Sequence, residues 1–419
     1  MAGSALLAFA LASLLPAAAV SHPLLRVHNP HGAPVTKVHT VLSSHFDAGC
    51  KTPLCAPQFL TPDEPDRCAK VGPHWPIDPQ HVGEPWAYHI VNRYFDLFIP
   101  RAIALAEAAR QAGTRYTYMT QSWVASLYLD CEHAGMLSWS GNGARKPGLP
   151  VLHCPNQTAV DAFKAALQRG DIFMHGFAHD GEASYFPDAS LFEAGITLGA
   201  RICDELGIPR PTSVSQRDVP GWTRATLPLL NKHGIHGLSF GAGTPPGKPD
   251  VPPICVWRDV ASGSSVVLTY ETGYGTDSTV FVLPNGEALA VAWQGDNTGP
   301  APLADVQAVY HKLRQQFPAA NVTASTFDAF FAVANQPEIK QQLPVVTEEI
   351  EDGWIYGVPS DPLKNAQFRE AARHRAACIE SGACNASSPA MLAFERLLVK
   401  VPEVRTRATR TREGCLHLD

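Results

Sequence analysis

This 419-residue sequence lacks the compositional features that mark several classes of protein. Charged residues make up only 17% of it, and 33 Lys and Arg nearly balance 39 Asp and Glu, for a net charge of -6. A basic surface for nucleic-acid phosphates is therefore not expected, and nucleic acid is excluded as a predicted partner. The chain is 45% hydrophobic, too apolar for a disordered protein, and its 32 Gly are far too few for a collagen.

Long apolar runs are also missing after the first twenty residues. Ala5 to Ala19 form an apolar run that precedes the polar Ser21. Such a run has the length of the apolar core of a secretion signal and is shorter than a membrane-spanning helix. We therefore predict a signal peptide at 1–21, a secreted mature chain and no membrane span; the alternative is an apolar N-terminal helix of the mature domain.

Cysteines and glycosylation sequons agree with secretion. The ten cysteines are an even number spread along the chain, and we expect Cys50 with Cys55 and Cys378 with Cys384 to close local disulfide loops. Asn-x-Ser/Thr sequons begin at Asn156, Asn321 and Asn385, where a glycan could be attached.

Strand-like and helix-like segments alternate from Val35 onward, which predicts parallel strands covered by helices. The predicted strands are Val38–Phe46, Tyr116–Thr120, Asp171–His175, Thr212–Ser215, Gly237–Phe240 and Ser265–Thr269. The predicted helices are Ile99–Ala112, Val160–Leu167, Leu191–Leu206, Thr223–His233, Leu303–Phe317, Thr326–Asn335, Phe368–Cys378 and Ala390–Val399. The fold class is therefore α/β: an irregular (β/α) barrel of seven strands at 22–300, a helical region at 301–400 packed on it, and a basic tail at 401–419.

The end of the first predicted strand carries a His-x-Asp pair. His45 and Asp47 are two residues apart, so on an extended chain their side chains point the same way and can bind one zinc ion. The alternative is a core histidine beside a turn-forming Asp-x-Gly.

A denser cluster follows the third predicted strand. His175, His179, Asp180 and Glu182 lie within eight residues, together with two glycines. Barrel enzymes keep their catalytic groups on loops of this kind, which favours a catalytic role over an exposed polar loop.

A third candidate segment combines a carboxylate with an aromatic ring. Asp218 either caps the next helix or contacts substrate, and Trp222 either stacks on a sugar or fills core. Trp123 has the same two interpretations, and Tyr274 is a further predicted substrate contact.

Taken together, these motifs resemble the catalytic domain of family 38 glycoside hydrolases, the α-mannosidases, and more closely a related family known as domain of unknown function 5054. The run from His45 to Gly49 resembles the zinc-binding His-x-Asp-x-Gly of the mannosidases, and the run from Asp218 to Gly221 resembles their Asp-x-Phe-Gly. Gly295 to Pro300, Trp354 to Gly357 and Ser360 to Pro362 match motifs of the second family.

The resemblance implies a retaining glycosidase that uses zinc and acts on carbohydrate. It assigns zinc to His45, Asp47 and Asp180, nucleophilic attack to Asp180, and protonation of the leaving oxygen to Glu182 or Asp218. Cys50 and Ser43 depart from the mannosidase pattern. The pattern of the second family stops after Glu403, so we expect a truncated or mis-spliced product.

Two other functions stay open. His175 and His179 have the His-x-x-x-His spacing of zinc-dependent polysaccharide deacetylases, a related barrel superfamily, and in that interpretation His179 is a metal ligand. The other alternative is an inactive secreted carbohydrate-binding relative.

Overall fold

A computed structural model describes residues 25–46, 86–131, 152–218, 221–242, 249–272, 279–296, 299–350 and 362–402; at 86–89, 218, 242, 272 and 293–296 it describes the backbone alone. The predicted signal peptide, Asp47, Cys50, Cys55, Tyr274, the motif from Trp354 to Gly357 and residues 403–419 of the basic tail lie outside these residues.

Two mixed sheets form the centre of the fold. The first has the order β1-β9-β10-β2-β3-β4, and β11 also pairs with β2. Its strands are β1 (Val27–His28), β2 (Lys37–His45), β3 (Tyr118–Thr120), β4 (Ile172–Met174), β9 (Val280–Val282), β10 (Glu287–Asp296) and β11 (Asn321–Ala324). The predicted parallel pairing is confirmed between β10 and β2, β2 and β3, and β3 and β4.

The second sheet has the order β12-β7-β8-β6-β5. Its strands are β5 (Ser213–Asp218), β6 (Gly237–Ala242), β7 (Ile254–Arg258), β8 (Ser265–Thr272) and β12 (Val345–Val346). β5 pairs with β6 and β6 with β8 in parallel, whereas β7 runs antiparallel to β8.

A glycine connects the two sheets. The Gly176 N–H, just after β4, donates to the Ser213 carbonyl at the start of β5 over 2.9 Å. A Cβ at Gly176 would lie 2.7 Å from that carbonyl oxygen, so only glycine allows this approach. This bond joins the chain just after β4 to the start of β5 across the two sheets, and closure into a seven-stranded barrel stays a prediction.

Helices follow most of the strands. They are α1 (Trp86–Arg93), which runs through a π-helical turn at Tyr94–Phe98 into α2 (Ile99–Gln111), then α3 (Ser122–Leu129), α4 (Gln157–Arg169), α5 (Ala189–Leu206), α6 (Leu227–Lys232), α7 (Leu303–Gln316), α8 (Phe327–Ala334), α9 (Pro337–Lys340), α10 (Pro362–Glu380) and α11 (Pro389–Lys400). Within the described ranges, no helix is long and apolar enough to cross a bilayer.

Local signals fix the helix ends. Asn156 and Asp188 accept hydrogen bonds from the backbone N–H groups of Ala159 and Leu191 and so cap α4 and α5. Gly170 and Gly207 end the same helices at φ of 71° and 64°.

The part of the chain after residue 301 is less uniformly helical than predicted. β11 lies in the first sheet, paired with residues 37–40 of β2, and β12 pairs with β7. Strand pairing therefore joins this part of the chain to the sheets, in addition to helix packing.

The disulfide between Cys378 and Cys384 is confirmed, and Cys131 pairs with Cys154, which spacing alone did not indicate. Cys203 and Cys255 are buried free thiols. Asn156, Asn321 and Asn385 are all exposed, so each is accessible to glycosylation, which stays a prediction.

Candidate active site at His45 and Asp180

The fold brings together two of the predicted residues that lie 135 positions apart. His45 is the last residue of β2, and Asp180 lies in the loop after β4. His45 Nδ1 is 2.9 Å from Asp180 Oδ2, and neither side chain has exposed surface. Because β2, β3 and β4 run parallel to one another in the first sheet, their carboxyl ends meet at the same edge, where α/β enzymes place their catalytic groups.

Neighbouring strands fix both oxygens of the Asp180 carboxylate. The Arg217 backbone N–H, in β5, donates to Oδ1 over 2.9 Å, and Gln121 Nε2, just after β3, donates to Oδ2 over 3.3 Å. Residues from β2, β3, the loop after β4, and β5 therefore converge on one carboxylate. The sequence motifs indicated Asp180 and His45 but not Gln121.

A buried arginine side chain lies beside this carboxylate. The Arg217 guanidinium has no exposed surface and donates to the Ser239 carbonyl over 2.8 Å and to Ser239 Oγ over 3.1 Å. Burial lowers the Arg217 pKa to about 10, while the charges of Glu271 and Asp180 oppose that shift. The group stays cationic at neutral pH and places a positive charge inside the fold, where it interacts electrostatically with Glu271 and, less strongly, with Asp180.

Ser239 belongs to a Gly-x-Ser-x-Gly sequence at 237–241, the pattern of a hydrolase nucleophile elbow. The nucleophile elbow requires a sharp strand-to-helix turn that exposes the serine. Ser239 instead lies within β6, is 2% exposed and contacts Arg217. The structure therefore gives this motif no elbow geometry.

His175 and His179 each use Nε2 for a different partner. His175 Nε2 lies 3.2 Å from Ser43 Oγ, and His179 Nε2 donates to the Val399 carbonyl over 2.6 Å. Burial lowers the pKa of His175 to about 3 and that of His179 to about 4, so both rings are neutral near pH 7. The two Nε2 atoms therefore have separate partners, and the bond from His179 links the loop after β4 to the last turn of α11. The deacetylase interpretation of the two rings stays an alternative.

For the two predicted acids, the structure describes the burial and a backbone contact of Glu182 and the backbone pairing of Asp218. Glu182 is 5% exposed, and its backbone N–H donates to the Pro402 carbonyl over 2.9 Å. Asp218 ends β5 opposite Ala242, with its backbone alone described.

Both tryptophans predicted to touch substrate fill core. Trp123 and Trp222 have no exposed surface, and their indole N–H groups donate to the carbonyls of Arg396 and Gly181 over 3.0 and 2.7 Å. Neither ring presents a face to solvent, so the packing interpretation describes both.

The fit of the predicted zinc ion rests on the His45–Asp180 pair. Zinc binds nitrogen and oxygen at about 2.0–2.2 Å, so two ligand atoms of a tetrahedral site lie about 3.4 Å apart. His45 Nδ1 and Asp180 Oδ2 are hydrogen-bonded at 2.9 Å, so they would separate by about half an ångström to share one ion. Within the described ranges, no group of three or more His, Cys, Asp or Glu side chains could hold a metal. The third predicted ligand, Asp47, lies outside those ranges, so the described part of the chain contains two of the residues predicted to bind zinc, and the zinc site stays a prediction.

Comparison with known proteins gives matches at the level of structure. No family model and no curated sequence matches the chain. The chain is similar to an α-mannosidase from Enterococcus faecalis, with 12% identity and a TM-score of 0.56 over 88% of this chain and 39% of that one.

Two other enzymes overlap more loosely. A branching enzyme of glycoside hydrolase family 57 from Thermococcus kodakaraensis has 10% identity and a TM-score of 0.48 over 87% of this chain and 84% of that one. A 4-α-glucanotransferase from Thermococcus litoralis has 10% identity and a TM-score of 0.38 over 88% of this chain and 46% of that one. The match to the α-mannosidase therefore supports a fold like that of a glycoside hydrolase. This chain spans 39% of the length of that enzyme.

Proposed function

We propose that this protein is a secreted, zinc-dependent glycoside hydrolase of α-mannosidase-like type that acts on glycans by a retaining mechanism. The observation that carries the proposal is the buried pair of His45 and Asp180, 2.9 Å apart at the carboxyl ends of parallel strands. The mannosidase-like fold and the two disulfides agree with it.

His45 Nδ1 and Asp180 Oδ2 would hold zinc together with Asp47. When bound, zinc would act as a Lewis acid toward the hydroxyl groups of a sugar. The chain itself supplies the orientation of the Asp180 carboxylate, because Arg217 N–H fixes Oδ1 and Gln121 fixes Oδ2.

Asp180 is the proposed nucleophile. Its carboxylate forms a bond to the anomeric carbon while the glycosidic C–O bond breaks, and Glu182 or Asp218 donates a proton to the leaving oxygen. Water then hydrolyses the glycosyl ester, and the same acid, now a carboxylate, takes up the water proton. The buried guanidinium of Arg217 interacts electrostatically with the Asp180 carboxylate and so places a positive charge in the surroundings of the proposed nucleophile.

Burial of the pair has two effects. It strengthens the attraction between the Asp180 carboxylate and the Arg217 guanidinium, because buried surroundings screen the two charges less than water does. It also requires the surrounding chain to open before a sugar reaches Asp180, since neither side chain has exposed surface. Turnover would therefore include an opening step before bond cleavage.

The test is turnover of a panel of aryl glycosides, with zinc or chelator added, by the wild type and by Asp180→Asn. The matched control is Asp161→Asn, which removes an exposed carboxylate of α4. We expect zinc-dependent release of the aryl group and a loss of about 1,000-fold or more in kcat for Asp180→Asn, with the control unchanged. Full activity in Asp180→Asn would contradict the assignment, and release of acetate from acetylated glycans without free sugar would favour the deacetylase instead.

A further inference from the structure

One side chain of β5 bonds to the backbone on both sides of Asp180. The amide of Gln216 accepts the Gly181 N–H at Oε1 over 3.0 Å and donates through Nε2 to the His179 carbonyl over 3.2 Å. The Gln216 side chain is fully buried. The two bonds of a single amide therefore bracket the residue that carries the proposed nucleophile.

The chemistry of glutamine suits this task. The primary amide presents a donor and an acceptor from one planar end, so it can bond a carbonyl and an N–H of the same stretch of backbone. Methionine has a side chain of similar length and volume but can make neither of these hydrogen bonds. Gln216→Met therefore removes both bonds with little change in side-chain size.

The same backbone has further supports. Trp222 Nε1 donates to the Gly181 carbonyl over 2.7 Å, so the peptide groups of Gly181 are bonded on both sides. Two more bonds come from the end of the described chain: the Val399 carbonyl accepts from the His179 side chain at Nε2, and the Pro402 carbonyl accepts from the backbone N–H of Glu182.

We infer that Gln216 is a positioning residue, which fixes the peptide around Asp180 and so aims its carboxylate at His45. Catalytic groups need placement to within about 0.5 Å, and such placement depends on the groups that support them. The inference rests on the proposed function for the role of Asp180, whereas the bonds around it are independent of any activity.

The experiment compares the wild type with Gln216→Met and with Leu313→Ala. Leu313 is fully buried in α7 and belongs to a core cluster that contains no residue of the 179–182 loop, so its truncation lowers stability without touching the loop. The first measurement is residue-resolved amide hydrogen exchange at Gly181, expressed relative to the amide of Ser239 in β6. We expect this ratio to rise about tenfold in Gln216→Met and to stay unchanged in Leu313→Ala.

The second measurement is kinetics on the best aryl glycoside. A misplaced nucleophile lowers kcat, so we expect a loss of about tenfold in kcat with KM within about twofold of the wild-type value. Trp222→Phe removes the other bond to Gly181 and keeps an aromatic ring, and it should change exchange and kcat in the same direction by a smaller factor.

The outcomes separate the two proposals. An unchanged exchange ratio in Gln216→Met, or faster exchange with unchanged kcat, would overturn the positioning role. A wild type that hydrolyses no glycoside would refute the proposed function, and the Gly181 exchange ratio would then decide alone whether Gln216 fixes this peptide.

Discussion

Asp328 provides a test of the electrostatics of the fold away from the candidate active site. It lies in the first turn of α8 and ties this helix to the start of β5, because its Oδ1 accepts from the Thr212 N–H and from Ser213 Oγ. Burial raises the Asp328 pKa from its ordinary value of 3.8 to about 6, against the opposing effect of these hydrogen bonds. The carboxyl group of Asp328 therefore holds its proton more tightly in the folded protein than in the unfolded chain.

The sign and size of the effect follow from this pKa. Asp328 contributes most to stability below pH 3.8, where it is protonated in both states, and this contribution is lost as the pH rises through about 6. At about 1.4 kcal/mol per pH unit, the difference amounts to about 3 kcal/mol. The positive end of the α8 dipole favours the anion by up to about 1 kcal/mol, so we expect about 2–3 kcal/mol.

Asp328→Asn keeps an oxygen for both donors and removes the charge. We expect the variant and the wild type to have nearly equal stability at pH 3.5 and the variant to be about 2–3 kcal/mol more stable at pH 7.5. Urea unfolding followed by tryptophan fluorescence at a series of pH values measures this difference, with Asp161→Asn as the exposed control. Parallel stability curves for wild type and Asp328→Asn across this range would refute the reasoning.

Two further predictions concern stability. The side chains of the Arg375–Glu395 ion pair are only 5% and 6% exposed, so Arg375→Met should lower the free energy of unfolding in urea by about 3–5 kcal/mol. Arg373 pairs with Glu370, and their side chains are 70% and 51% exposed, so Arg373→Met should lower it by under about 1 kcal/mol. Equal losses would show that burial does not set the cost. Replacing both cysteines of a disulfide by serine should lower the stability of the protein by about 3 kcal/mol for Cys131–Cys154, which spans 23 positions, and by about 2 kcal/mol for Cys378–Cys384, which spans six. Thermal unfolding under oxidising conditions measures both losses. The reverse order would contradict the view that the disulfides stabilise the fold through loop closure.

The sequence predicted the parts of the fold that depend on local pattern. Val38–Phe46 was predicted as a strand and is observed as β2 at Lys37–His45; Leu191–Leu206 was predicted as a helix and is observed as α5 at Ala189–Leu206. The capping residue Asp188 and the terminal Gly207 explain the second agreement, since both act within a few residues of the helix.

Long-range pairing decided what the sequence did not predict. β10 contains three alanines and few β-branched residues, so its intrinsic preference for a strand is weak, yet it pairs with almost the whole of β2. β11 is only four residues long and is stabilised by pairing with β2 within a region of helical pattern. Neither partner is visible from a local window of sequence.

The same division applies to the candidate site. His45 and Asp180 were predicted because the first lies at the carboxyl end of a predicted strand and the second in the loop after another, and parallel strands bring these ends together. The Arg217 guanidinium, the amide of Gln216 and the indole of Trp222 were not assigned their partners, because their contacts depend on side-chain direction and on packing between distant segments.

Covalent trapping of the nucleophile is the most direct test of the central claim. The protein would be incubated with a fluorinated glycosyl fluoride that matches its best aryl substrate, digested, and sequenced by tandem mass spectrometry. A retaining mechanism with Asp180 as nucleophile predicts one glycosyl group esterified to Asp180. Labelling of Glu182 or Asp218 instead, or turnover of the substrate with inversion at the anomeric carbon, would contradict it.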